Sequence, residues 1–282
     1  MALTLALPAM GRTLPLYLKV VSKSMAENEM TNLETEVLTK FFIDLDEQTR
    51  LRLVVLADRG FAKVELFKLI NSYKAVFVIR VPRTAHVNIS GTWIDLSNLQ
   101  INSYEGAVYN DVIYSKEHSY TLNLVVRKAK PEKANNPEDD CWILATNKGY
   151  KANDACSRYS KRMKIEEMFK DMKSSGFNIE DTSYSDEDSM QKLMLVLAIS
   201  YIVLLEWHAL YGSPETEKLV TRNHKGRGTL EHSAFQIALR VFDLAISLSG
   251  FTKEELQFLS SYLLIRSRYK NRIILPLVAN LV

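Results

Sequence analysis

At 282 residues and 47% hydrophobic, the chain can bury a full core, as one large domain or as a domain with an insertion. The formal net charge of +3 is too small to select a partner, so local clusters of charge carry the information. Two cysteines with no C-x-x-C spacing and five dispersed histidines with no H-E-x-x-H pattern speak against common zinc and dithiol sites, and fit a reducing compartment.

The opening MALTLALPAMGR has no basic segment and its apolar run stops at Pro8, so it does not read as a signal peptide. Residues 3–7 and 14–21 flank Ala9-Met10-Gly11-Arg12 and predict a β-hairpin with Gly11 at the turn. Residues 31–46 carry helical spacing through Leu33, Val37, Leu38, Phe41, Phe42 and Leu45, with a capping-box start at Thr31-Asn32-Leu33-Glu34. RLVVLA at 52–57 is continuously apolar, as in a strand buried on both faces. It ends at Asp58-Arg59-Gly60-Phe61, where glycine allows a tight turn. A helix over about 63–72 and a strand over 75–81, stopped by Pro82, complete the pattern of a parallel α/β unit.

From 83 to 140 the texture is β-rich, with strands at 107–114 and 120–127 and a polar loop at 128–140. Buried-strand character returns at Trp142 and leads into a long helix. After a polar loop at 178–189, where Ser185 or Asp186 offers a cap, an apolar helix runs over about 191–210. Its uncharged core, residues 193–205, is shorter than the ~20 residues that span a bilayer, so it reads as a buried helix with no membrane crossing. A basic loop with Lys218, Arg222, Lys225 and Arg227 precedes helices at about 229–248 and 253–266 and a basic tail.

The helix over 159–177, YSKRMKIEEMFKDMKSSGF, concentrates the chemistry. At about 100° per residue, Tyr159, Arg162, Glu166 and Lys173 fall within an arc of about 60°, with Ile165, Met168, Phe169 and Met172 on a neighbouring core face. A carboxylate for a divalent cation, two cations for phosphate oxygens and a ring for stacking suit a metal site that holds a phosphate backbone. The same spacing also fits an Arg162–Glu166 ion pair on a solvated face. Asp58, at the carboxyl end of a parallel strand, is a candidate acid, and with Glu166 could share a divalent metal for phosphodiester displacement. As a plain alternative, Asp58 caps the following helix. Asp139-Asp140 and the acidic cluster at 185–189 read as solvated loops, Glu167 as solvent-facing and His208 as a core histidine. Ser200 and Cys156 lack a partner that would mark a nucleophile.

Tyr159-x2-Arg162-x3-Glu166-x6-Lys173 resembles, position for position, the Y-R-E-K signature of the insertion-sequence-four family of DDE transposases. The similarity continues through Gly176-Phe177 and Glu180-Asp181-Thr182, while LADRGF at 56–61 resembles that family's second-aspartate motif. GRTLPLYLKV at 11–20 resembles the strand after its first-aspartate strand. The resemblance implies a ribonuclease-H-like α/β fold with a mixed sheet, a β-rich insertion and a C-terminal helical region. The implied parts are 1–82 and 141–210 as core, 83–140 as insertion and 211–282 as the helical region. It further implies Asp58 and Glu166 as two of three metal-binding acids for Mg²⁺ or Mn²⁺, and Arg162 and Lys173 on transposon-end phosphates with Tyr159 in support. The partners would be inverted-repeat DNA, target DNA and a second copy of the chain, in a bacterial cytoplasm at the nucleoid. One departure stands out: no acidic residue precedes Glu27, so the family's first aspartate has no counterpart ahead of Gly11. The expectation is a chain truncated at its N-terminus and inactive, or a non-catalytic DNA-binding or dimerising remnant. A ribonuclease-H-like nuclease of another role is disfavoured by the Y-R-E-K spacing.

Overall fold

Continuous apolar runs with β-branched residues become strands that are covered on both faces, and two such runs form the centre of the main sheet. In the computed structural model they are β3 (Val54–Ala57) and β4 (Val76–Arg80), paired in parallel with Val54 opposite Val76 and Ala57 opposite Ile79. The described residues are 2–9, 12–22, 24–99, 106–128, 141–173, 177, 179, 182, 186–211, 235–239 and 274–280. The chain divides into two compact units. Met1–Leu7, Val21–Met163 and Arg272–Val282 make the first, and Pro8–Val20 with Lys164–Asn271 the second.

In the first unit the remaining strands are β1 (Ala2–Ala9, of which residues 2–7 belong here), β5 (His86–Ile89), β6 (Thr92–Asp95), β7 (Ala107–Tyr114), β8 (Tyr120–Lys128), β9 (Cys141–Thr146) and β10 (Ile274–Asn280). Their order is β1-β10-β3-β4-β9-β8-β7-β5-β6. β10 runs parallel to β3, and the other pairings outside β3–β4 are antiparallel. The mixed sheet with helices is that of a ribonuclease-H-like fold. Strands β5 to β8, from the stretch read as an insertion, extend the same sheet through the β8–β9 pairing.

Alternation along the central strands sends side chains to opposite faces. Val54, Leu56, Val78 and Leu144 cluster with Ala155, Cys156 and Tyr159 of α4 (Ala152–Tyr159). Phe77 stacks on Phe67 of α3 (Val64–Ser72), with ring centroids 4.8 Å apart, and Tyr114 of β7 meets the Phe67 ring edge-on. Gly106 enters β7 at φ +89°, and a Cβ there would sit 2.7 Å from the Ala152 Cβ, so glycine lets β7 pass close to α4. Helix α1 (Glu27–Ile43) is fastened by a partly buried ion pair, Lys63 Nζ to the buried Glu34 Oε2 at 2.9 Å, with Thr31 Oγ1 also accepting from Lys63.

The second unit contains β2 (Arg12–Val20), most of α5 (Met163–Lys173), α6 (Glu187–Tyr211) and a helical turn at 235–239. The Gln191 side chain of α6 clasps β2, accepting from the Val20 N–H at 2.7 Å and donating to the Leu18 carbonyl at 3.0 Å. Asp186 caps α6 by accepting from the Ser189 N–H. Met194, Leu197, Ala198, Tyr201, Leu204 and Leu205 form its buried stripe, whereas Leu195, Val196 and Ile199 are exposed. By length and composition alone, residues 187–209 would suffice to cross a bilayer, longer than the uncharged core suggested.

Three sequence expectations need correction. α1 begins at Glu27 rather than Thr31, so Glu34 does not cap it; Glu29 reaches back to the Ala26 N–H instead. A short helix, α2 (Glu47–Arg52), capped by Asp46, leads into β3 and takes Arg52, so the strand starts at Val54 rather than at Arg52. The helix over 159–177 is not continuous: α4 ends at Tyr159, a 3₁₀ turn spans Ser160–Arg162, and α5 follows. The Gly11 turn, Asp139-Asp140, Gly176, Glu180-Asp181, Ser185, the basic loop with Lys218 to Arg227, and most of the helices and tail expected after 229 lie outside the described residues.

Candidate active site

Asp58 follows the last residue of β3 in extended backbone, ahead of a 3₁₀ turn at Arg59–Phe61 whose Phe61 N–H donates to the Asp58 carbonyl. Its carboxylate makes no cap hydrogen bond, so the plain capping reading does not hold. Gly60 is not needed for the turn, since its φ is not positive and an added Cβ would meet nothing within 4 Å. The carboxylate faces the signature segment instead. The Tyr159 hydroxyl donates to Asp58 Oδ1 at 3.3 Å, and Arg162 Nη1 lies 4.0 Å from Oδ2, the outer limit of an ion pair.

Burial decides what these groups can do. Tyr159 is 1% exposed and Arg162 is 4% exposed, so neither lies on an open stripe as the helical arc suggested. The Tyr159 ring meets Trp142 edge-on at 5.1 Å, and the Arg162 guanidinium sits 5.6 Å from its centroid. Burial pushes the Tyr159 phenol well above its ordinary pKa, opposed by Arg162, so it acts as a neutral donor to Asp58. The 3₁₀ turn explains the inward placement. By breaking the helix after Tyr159 it directs Arg162 toward the carboxyl end of β3, a position that a straight helical projection does not give.

Glu166 and Lys173 belong to the second unit, both half-buried on α5. Ile165, Met168, Phe169 and Met172 are buried, as their spacing predicts. Between Glu166 and Lys173 lies a group the sequence did not single out. Asp171 is 4% exposed and accepts from Arg12 Nε at 2.9 Å and from the Tyr201 hydroxyl at 3.2 Å. Arg12 also donates to Glu167, which pairs with Lys164 and is therefore not simply solvent-facing. The Asp171 pKa is raised by burial, against the lowering effect of Arg12. This network ties the first residue of β2 and a buried tyrosine of α6 to the helix that carries Glu166 and Lys173. Only the arginine of the GRTLPL stretch hinted at it.

Both cysteines are buried free thiols, and burial pushes the Cys141 thiol up to about 11, so neither is a nucleophile. Among the described residues, no group of three or more His, Cys, Asp or Glu side chains could hold a metal ion. Asp58 offers one carboxylate with a guanidinium beside it. A firmly held divalent ion needs more oxygen ligands than that, so these residues as described do not fit one.

Residues 12–203 match the family described as the transposase DDE domain, a span that opens at the first residue of β2, closes within α6 and takes in Asp58 and all four signature residues. No curated protein matches the chain. With most of its length inside that match, and with the acid of the LADRGF strand end held by the tyrosine and arginine of the signature segment, the chain belongs to the transposase DDE domain family.

Proposed function

We propose that the chain is a DNA transposase by descent, of the insertion-sequence-four family, and that these 282 residues are inactive or nearly so in cleavage and strand transfer at transposon ends. The supporting observation is the convergence of Tyr159 and Arg162 on Asp58 across 101 residues of sequence. In this reading Asp58 and Glu166 are what remains of the acids of a Mg²⁺ or Mn²⁺ site, too few as they stand to hold the ion, which is why no cleavage is expected. Tyr159 and Arg162 fix the Asp58 carboxylate, and Arg162 and Lys173 supply positive charge toward transposon-end phosphates. Because Arg162 is buried beside Asp58, its part is weighted toward holding the acid, and Lys173 is the more accessible cation. Residues 83–140 serve as a β-rich insertion, and a homodimer on inverted-repeat DNA is the functional assembly.

A second reading has the same fold retained as a non-catalytic DNA-binding or dimerising protein. Both are tested by incubating the purified chain with labelled inverted-repeat DNA, with Mg²⁺ or Mn²⁺, over a salt series. The expected result is binding that weakens steeply with salt, by about 0.9 log unit per tenfold salt for each phosphate contacted, and no strand cleavage. Metal-dependent cleavage of the repeat ends would overturn the inactivity. Absence of binding even at low salt would overturn the DNA-binding part of both readings, and a monomer in analytical sedimentation would overturn the dimerising one.

A further inference from the structure

Strand β10 occupies an unusual place for residues so late in the chain, the interior position between β1 and β3. Its pairing is staggered. Ile274 to Leu277 are in register with Val54 to Ala57 on one side, and Leu277 to Asn280 with Leu5 to Ala2 on the other. Leu277 alone appears in both registers, so each half of the strand rests on a single neighbour.

The β3 half also contains Pro276, opposite Leu56. Proline has no N–H to donate, and interior strands rarely tolerate it because a ladder hydrogen bond is lost. The flanking strands are the opposite: Ala2, Leu3, Leu5, Ala6 and all of β3 are buried. A vacated position would therefore open two apolar edges whose backbone groups seek a partner strand. The strand also runs beside the Arg59–Phe61 and Ser160–Arg162 turns, which flank Asp58.

We propose that the gap between β1 and β3 is a strand-acceptor site for an extended apolar peptide, and that residues 274–280 of this chain are its exchangeable occupant. Recognition comes from main-chain pairing parallel to β3, the β-addition mode of peptide binding. The inference does not depend on the catalytic reading above.

The test uses the full chain carrying Ala57→Cys and a synthetic peptide of residues 272–282 carrying Leu277→Cys. In-register neighbours on adjacent strands lie within disulfide reach. Under mild oxidation the expected product is a chain–peptide disulfide forming about tenfold faster than with peptide carrying Leu275→Cys, two positions out of register. The native chain, whose two cysteines are buried, is the background control. A full chain carrying Leu5→Cys tests the same peptide from β1, in case the substitution in β3 disturbs folding. In the unmodified chain, amides of β10 should exchange with deuterium at least tenfold faster than those of β4 and β9. No chain–peptide disulfide from either strand, equal rates for the two peptides, or β10 amides as slow as those of β4 would each overturn the proposal.

Discussion

Replacing Arg12 with methionine should destabilise the protein by about 3 kcal/mol, the lower end of the range for breaking a buried ion pair. The side chains of Arg12 and Asp171 are 16% and 5% exposed, and the Arg12 Nε bond to Asp171 is the shorter of the two the carboxylate receives. Without the guanidinium, Asp171 keeps one phenol donor and the like charge of Glu167 nearby. At roughly 2–4 °C per kcal/mol for a chain of this size, the melting temperature should fall by about 6–12 °C. The pH dependence has a definite sign. Burial already raises the Asp171 pKa, and loss of Arg12 removes a lowering influence. A carboxyl whose folded pKa is raised keeps its stability below the unfolded value and loses it as pH rises through the folded pKa. The deficit of Arg12→Met against wild type should thus be small near pH 4 and full by pH 7 to 8. Adding Asp171→Asn should restore most of the loss at pH 7, because an amide can keep the Tyr201 contact without charge. Urea and thermal melts followed by circular dichroism measure all three. A loss below about 0.5 kcal/mol, one unaffected by Asp171→Asn, or one that grows on acidification would refute the reasoning.

The Glu34–Lys63 pair gives a parallel case in the first unit. Lys63→Met should cost about 3 kcal/mol at pH 7 and Glu34→Gln less, with the Lys63→Met deficit shrinking toward acid as the raised Glu34 carboxyl takes up its proton. Urea denaturation at pH 5 and pH 8 checks both. Gly106→Ala combines an unfavourable φ with a Cβ only 2.7 Å from Ala152, and should cost about 1–3 kcal/mol in a thermal melt. Tyr159→Phe keeps the Trp142 contact and removes the hydroxyl's bond to Asp58, so the loss should stay near 1 kcal/mol. A loss above about 3 kcal/mol would show that more than this bond is at stake.

Much of the sheet could be read from the chain because its strands are short, apolar and punctuated. Residues 107–114 and the runs that became β3 and β4 announce themselves by β-branched content and by the Asp58 and Pro82 stops. Helix α1 begins four residues earlier than its spacing predicts because the Ala26 methyl is apolar and signals no cap. The signature segment was harder for another reason. A helical wheel assumes constant rotation, and the 3₁₀ turn at Ser160–Arg162 changes the direction of every following side chain. The residue types around Asp58 were legible, but the burial of Tyr159 and Arg162 was not, since an arginine pattern carries no mark of what lies opposite. Asp171 was invisible for the same reason: its partners, Arg12 and Tyr201, are distant in sequence and meet it only in the fold.

The place of β10 imposes an order on synthesis. β3 leaves the ribosome more than two hundred residues before its parallel neighbour is translated, a delay of about 10–40 s at ordinary elongation rates. Throughout that interval β1 and β3 wait with a gap between them, and chaperones or stray strands have first access to it. A stop codon just ahead of Ile274 would leave every other strand of the sheet in place yet the sheet without its interior strand, so such a nonsense mutation should be far more damaging than the count of strands already made suggests.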